Sequence, residues 1–107
     1  MRIVNCTPHE LHLVRPDNTV LVLPKPAGPA ARMTETKVVI GQVDGVPILK
    51  CQYGAVENLP PQEEGVLLVV SMLVRSACPD RSDLVSPGDL VRDSAGVIIG
   101  SRGLIAR

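Results

Sequence analysis

Val66-Leu67-Leu68-Val69-Val70-Ser71-Met72-Leu73-Val74-Arg75-Ser76-Ala77-Cys78-Pro79 is the stretch on which the fold turns. Its first five residues are continuously apolar and too few for an ordinary helix, so they read as a strand buried on both faces. Ser71 can cap a helix with its hydroxyl. Met72, Leu73 and Ala77 are good helix formers, and Pro79 stops the helix because the residue before a proline avoids the α region. The stretch predicts a buried strand followed by one short helix near residues 71–78.

Strand signals continue on both sides. Residues 2–4 predict a first strand, ended by Asn5-Cys6-Thr7-Pro8-His9. Leu11 to Val14 and Val20 to Leu23 flank Arg15-Pro16-Asp17-Asn18-Thr19, a turn-forming run, and predict a hairpin. Pro24 to Ala31 reads as an extended, polyproline-like surface segment. Lys37 to Val43 and Val46 to Gln52 are joined by Asp44-Gly45, which suits a type I′ turn with two positive φ angles. Pro47 then belongs at a strand start or edge, where its missing N–H does no harm. Asn58 to Gly65 and Asp80 to Asp89 read as loops. Leu90 to Arg92 and Val97 to Ile99 flank Asp93-Ser94-Ala95-Gly96 and predict a last hairpin, with a tail from Gly100 to Arg107 that continues or follows its second strand. About eight short strands and one helix predict a mainly β (β-rich α+β) single domain spanning 1–107: a small antiparallel barrel or folded-over sheet.

Composition agrees. One domain of 107 residues, with 16 Val, 12 Leu and 6 Ile but no Phe or Trp, must build an aliphatic core in which β-branched residues favour strands. Net charge is zero, with 11 basic and 11 acidic residues, and Tyr53 is the sole aromatic. That argues against general nucleic-acid binding, which needs a basic footprint and stacking platforms. Cys6, Cys51 and Cys78 form an odd set without a C-x-x-C pair and read as free thiols of a cytoplasmic, reducing compartment. The longest apolar run, Val66 to Val70, is far too short for a membrane span, and the N-terminus carries no secretory pattern.

Candidate chemistry is sparse. Cys6, His9 and His12 have the spacing C-x2-H-x2-H, but no fourth zinc ligand is evident, and two histidines three apart on a strand face opposite ways. The plainer reading is a buried Cys, a turn His and a surface His, so no metal and no cofactor is expected. No cysteine-hydrolase signature surrounds any thiol, and Ser71 lacks the glycines of a nucleophile elbow. No catalytic residue is assigned, and the chain reads as more binding protein than enzyme. Ser71 at a helix start, with Arg75 one turn on, could hold a phosphate or carboxylate, although a cap plus a solvated Arg explains them as well. Eight of the 11 basic residues are Arg, suited to bidentate anion capture, although coding bias gives the same excess. Arg75, Arg81, Arg92, Arg102 and Arg107 interleave with Asp80, Asp83, Asp89 and Asp93. They read as surface salt bridges or, through Arg75, Arg92 and Arg102, as a convergent anion site.

Asn5-x-Thr7-Pro8-His9, Val69-x-Ser71 and Val91-Arg92-Asp93-x-x-Gly96-x-Ile98-Ile99-Gly100 together resemble a group of small, largely uncharacterised proteins of phages and actinobacterial genomes. The resemblance implies a phage or prophage setting and a protein that acts by binding, such as one sequestering a nucleotide signal of host immunity; it implies no catalytic residue. Three functions are therefore expected, in this order. The first is capture of a small anionic, nucleotide-like ligand through Thr7, His9, Ser71, Arg75, Arg92 and Arg102. The second is a protein-interaction or inhibitor module acting on a host enzyme, and the third a small hydrolase-like enzyme using His9. Unpaired sheet edges add the expectation of a homo-oligomer.

Overall fold

A computed structural model of the chain describes residues 1–106; Arg107 lies outside the described residues. Eight strands and one helix follow the chain as β1 (Arg2–Asn5), β2 (Leu11–Val14), β3 (Val20–Leu23), β4 (Arg32–Val43), β5 (Val46–Glu57), β6 (Val66–Val69), α1 (Met72–Ala77), β7 (Leu84–Arg92) and β8 (Ile98–Ala106). Six strands form one sheet in the order β1-β6-β7-β8-β2-β3, nearly closed and barrel-like, and β4 pairs only with β5.

The mainly β architecture with one short helix is as expected, but the sheet is mixed rather than antiparallel. β1 runs parallel to β6, β6 to β7, and β2 to β8, leaving β2–β3 and β7–β8 antiparallel. Parallel neighbours need a crossover. The β6-to-β7 crossover is α1 with the loop after it, whereas β1 reaches β6 only after 2 hairpin connections and the long loop.

The Val66–Val70 run behaves as its apolarity requires. Leu68 and Val70 pack with Cys6, Ala31, Val74 and Leu84 on the face covered by α1. Val69, on the opposite face, is paired in register with Val85, and both are buried. Burying each such aliphatic side chain contributes about 1.5–3 kcal/mol. Ser71 caps α1, its hydroxyl accepting from the Val74 N–H at 3.2 Å.

The predicted loop from Asp80 to Asp89 is half wrong, because β7 already begins at Leu84. The run Ser86-Pro87-Gly88 looks like a turn, yet all three pair with β8, opposite Ile105, Leu104 and Gly103. A Cβ on Gly88 would meet the end of the Ile105 side chain, which would have to shift to make room. Ser101 adds side-chain bonds at the next residue: its hydroxyl donates to the Gly88 carbonyl and accepts from the Gly88 N–H.

The Asp44-Gly45 turn forms with both residues at positive φ, 50° and 79°. The hairpin it closes is longer than the apolar pattern alone indicated, 12 residues on each strand. Its base is anchored where Met33 and Val56 pack against the core. The rest stands off as an arm, which explains a radius of gyration of 16.5 Å against about 13 Å for a compact chain of this length.

Arg81 and Asp83 form a pair away from solvent rather than a surface salt bridge. Arg81 donates to Asp83 through Nε at 2.9 Å and Nη2 at 2.8 Å, and Nη2 also reaches the Pro60 carbonyl. The Asp83 side chain is 5% exposed. The hydrogen bonds from Arg81 hold its carboxyl below the ordinary value. A carboxyl lowered in the folded state contributes stability above its unfolded pKa and loses it as pH falls through the folded one. Urea midpoints of the wild type should therefore fall below about pH 4. Asp83→Asn should flatten that acid limb and cost about 2 kcal/mol at neutral pH.

Candidate functional site

Asn5-Cys6-Thr7-Pro8-His9 leaves β1 and turns across the end of the sheet. Asn5 is buried, and its amide Nδ2 donates to the His9 carbonyl at 2.7 Å and to the Pro24 carbonyl at 3.1 Å. Its Oδ1 accepts from the Thr7 N–H at 2.9 Å and from the Thr7 hydroxyl at 2.7 Å. One side chain thus ties the end of β1 to the end of β3, the two edges that the strand order leaves open. Thr7 is buried in this knot, with its hydroxyl already engaged.

The other expected ligand residues are placed in different neighbourhoods. Ser71 caps α1, and Arg75 sits one turn on. Arg75 Nε donates to the hydroxyl of buried Ser86 at 3.1 Å. Arg92 Nη1 donates to the Gly96 carbonyl at 2.9 Å and so braces the β7–β8 turn. Arg102 Nη1 reaches Asn18 Oδ1 in the β2–β3 turn at 3.3 Å. Arg75, Arg92 and Arg102 therefore do not converge; each is engaged with a different local partner. Arg107, the last member of the interleaved set, lies outside the described residues.

The C-x2-H-x2-H spacing does not gather either. Cys6 is in the core, where burial and then the charge of Asp83 push its thiol above the ordinary value, which disfavours the thiolate. His9 and His12 are exposed, and His12 Nε2 lies 2.7 Å from Glu10 Oε1. Among the described residues, no three His, Cys, Asp or Glu side chains come together as a metal site would require. No helix of the described residues is long and apolar enough to cross a membrane.

Two surfaces were not foreseen as sites. The first is a groove of about 790 Å3 formed by β2, β7 and β8. Leu11, Leu13, Leu90, Ile98 and Ile99 make its walls apolar, Pro87 and Ser101 also line it, and His9, Glu10 and His12 supply its polar groups. Of the residues expected to bind an anion, only His9 lines it; Arg102 lines a smaller pocket of about 320 Å3 with Ile3, Leu21 and Leu104. The Glu10 carboxylate on the larger groove opposes an anionic ligand.

The second surface is the β4–β5 arm. Val39 pairs with Leu49, and Glu35 with Tyr53, so these residues share one face with Cys51. The bulge between Val39 and Gly41 shifts the register, and Val43, Val46 and Ile48 occupy the other face with Val38. Val39, Ile40, Val43 and Val46 are 60–63% exposed. Cys51 donates its S–H to Glu35 Oε1 at 3.2 Å, and that bond pushes the thiol above its ordinary value. The signal for the arm was present in the Asp44-Gly45 hairpin; what the sequence pattern could not disclose was that, beyond its base, neither face of it packs on the body.

Comparison of the chain with protein-family models, with curated proteins and with solved structures found no match.

Proposed function

We propose that this chain is a non-enzymatic protein-interaction module whose working element is the β4–β5 arm. The observation that carries this reading is the arm itself: a two-stranded ribbon with large apolar side chains in the open on both faces. An isolated two-stranded hairpin is marginal in water, and contiguous exposed apolar surface marks a contact site. The apolar groove on β2, β7 and β8 supports the same reading, since its walls suit aliphatic side chains better than a charged metabolite. Tagged wild-type chain and a Val39→Lys/Leu49→Lys variant, both recovered from cells of the source organism, provide the test. A defined species retained by the wild type and lost by the variant is expected. Identical sets of bound species, with the variant still folded, would overturn the reading.

A second reading, capture of a small anionic ligand, is favoured by Ser71 and Arg75 following the C-terminal end of β6, with Arg75 bonded to Ser86 of the neighbouring β7. Ligand crevices in parallel arrangements favour that end of the strands. In this reading Arg75 exchanges its bond to Ser86 for one to the ligand, in keeping with the phage immune-signal setting that the family resemblance implies. Calorimetry with inorganic phosphate, nucleotides and cyclic nucleotides decides it; heat released by the wild type and lost in Arg75→Ala is the expected signature, and no heat from any of them sinks it.

A further inference from the structure

The accessible surface of the chain is 7231 Å2. A compact 11.4 kDa monomer exposes about 5,800 Å2, so about 1,400 Å2 is in excess. A standard interface covers about 800 Å2 on each partner. The excess is therefore close to what one protomer needs to take part in two contacts, one on either side of it.

The structure holds two surfaces of that kind with opposite shapes. The arm is a narrow apolar projection. The groove on β2, β7 and β8 is an apolar hollow, and no arm residue lines it. The arm's own packing on the body is at its base, through Met33 and Val56 and through β4 against α1. The charges also match. Lys37 and Lys50 flank the apolar stretch of the arm, and Glu10 stands in the groove beside His12.

We infer that the occupant of the groove is the arm of a second copy of this chain, seated head to tail. The inference rests on the reading of the arm as an interaction element and names its partner. One apolar face of the arm, around Val39 and Leu49, lies on Leu90 and Ile99 of the next protomer, and Lys37, on that same face, reaches Glu10. Because the two contacting patches differ, each protomer keeps an arm to give and a groove to fill. Successive copies then close into a ring if the rotation allows, or continue as a filament if it does not. An arm covered in this way is no longer a free ribbon but part of a packed layer.

Light scattering coupled to size-exclusion chromatography on three full-length proteins tests this. They are the wild type, an arm variant (Val39→Lys/Leu49→Lys) and a groove variant (Leu90→Lys/Ile99→Lys). All four positions are exposed, and far-ultraviolet circular dichroism checks that each variant folds. The wild type is expected at a multiple of 11.4 kDa, and each variant alone as a monomer. Mixing the two variants restores one intact arm and one intact groove, so a dimer is expected and nothing larger. A groove variant that still assembles while the arm variant does not would overturn the inference in favour of arm-on-arm pairing. A wild type that stays monomeric at every concentration would also overturn it. In that second case an arm-dependent species recovered from source cells would leave the interaction reading standing with a different partner, and its absence would remove both.

Discussion

Asn5→Ala is expected to destabilise the fold by about 3 kcal/mol, since each net hydrogen bond is worth about 1 kcal/mol and a buried donor left unpaired costs more. Asn5 makes four bonds of 3.1 Å or less, two from its amide to the His9 and Pro24 carbonyls and two into its carbonyl from Thr7. Alanine leaves the buried Thr7 N–H without a partner and removes the link between the ends of β1 and β3. A loss of that size should lower the thermal midpoint by roughly 15 °C for a domain of this length. Asn5→Asp sharpens the test, because it retains the acceptor for Thr7 but faces two carbonyl oxygens with a carboxylate. It should be no better tolerated than alanine at neutral pH. A change under about 1 kcal/mol in either variant would mean that the edges are held by something other than this side chain.

Leu84→Ala is the other large effect. Leu84 is 1% exposed and packs in the cluster with Leu68, Val70 and Val74 under α1. It opens β7 beside Leu68, so a void there undermines both the sheet and the helix that covers it. Truncation of a fully buried leucine costs about 3–4 kcal/mol, the transfer of the lost methyl groups plus the cavity left behind. Leu84→Met, which keeps the volume, should cost under about 1.5 kcal/mol. Urea unfolding at one fixed protein concentration gives both values; the fixed concentration matters because self-association would add to apparent stability. Equal costs for the two substitutions would contradict the packing described.

Local pattern made some of this architecture readable. A five-residue apolar run is too short for a helix and too apolar for an edge, so β6 was legible, and Ser71 with Pro79 bracketed α1. Asp44-Gly45 named its own turn. Pairing over distance was not legible: nothing local in Arg2–Asn5 says that its neighbour is Val66–Val69 or that the two run parallel. Ser86-Pro87-Gly88 was misread because its turn character is overridden by pairing with Ile105, Leu104 and Gly103 and by the Ser101 hydroxyl bonded to Gly88. Both causes lie on another strand. The expected convergence of Arg75, Arg92 and Arg102 failed for a related reason. Their sequence proximity placed them on a helix and two strands, where each found a partner nearby. The groove was invisible because β2, β7 and β8 bring its walls together from opposite ends of the chain.

The distance between β1 and its partner also sets an order of events during synthesis. β1 is made before β2 to β5, yet among the described residues its one neighbour in the sheet, β6, follows all of them. Until then it has no ladder to join, and the β6–β7 pair must wait longer still. The β4–β5 ribbon needs only its own turn, a local contact that forms early. The apolar arm is thus complete while the body that should carry it is still open, which makes the nascent chain the moment of greatest exposure to unwanted pairing.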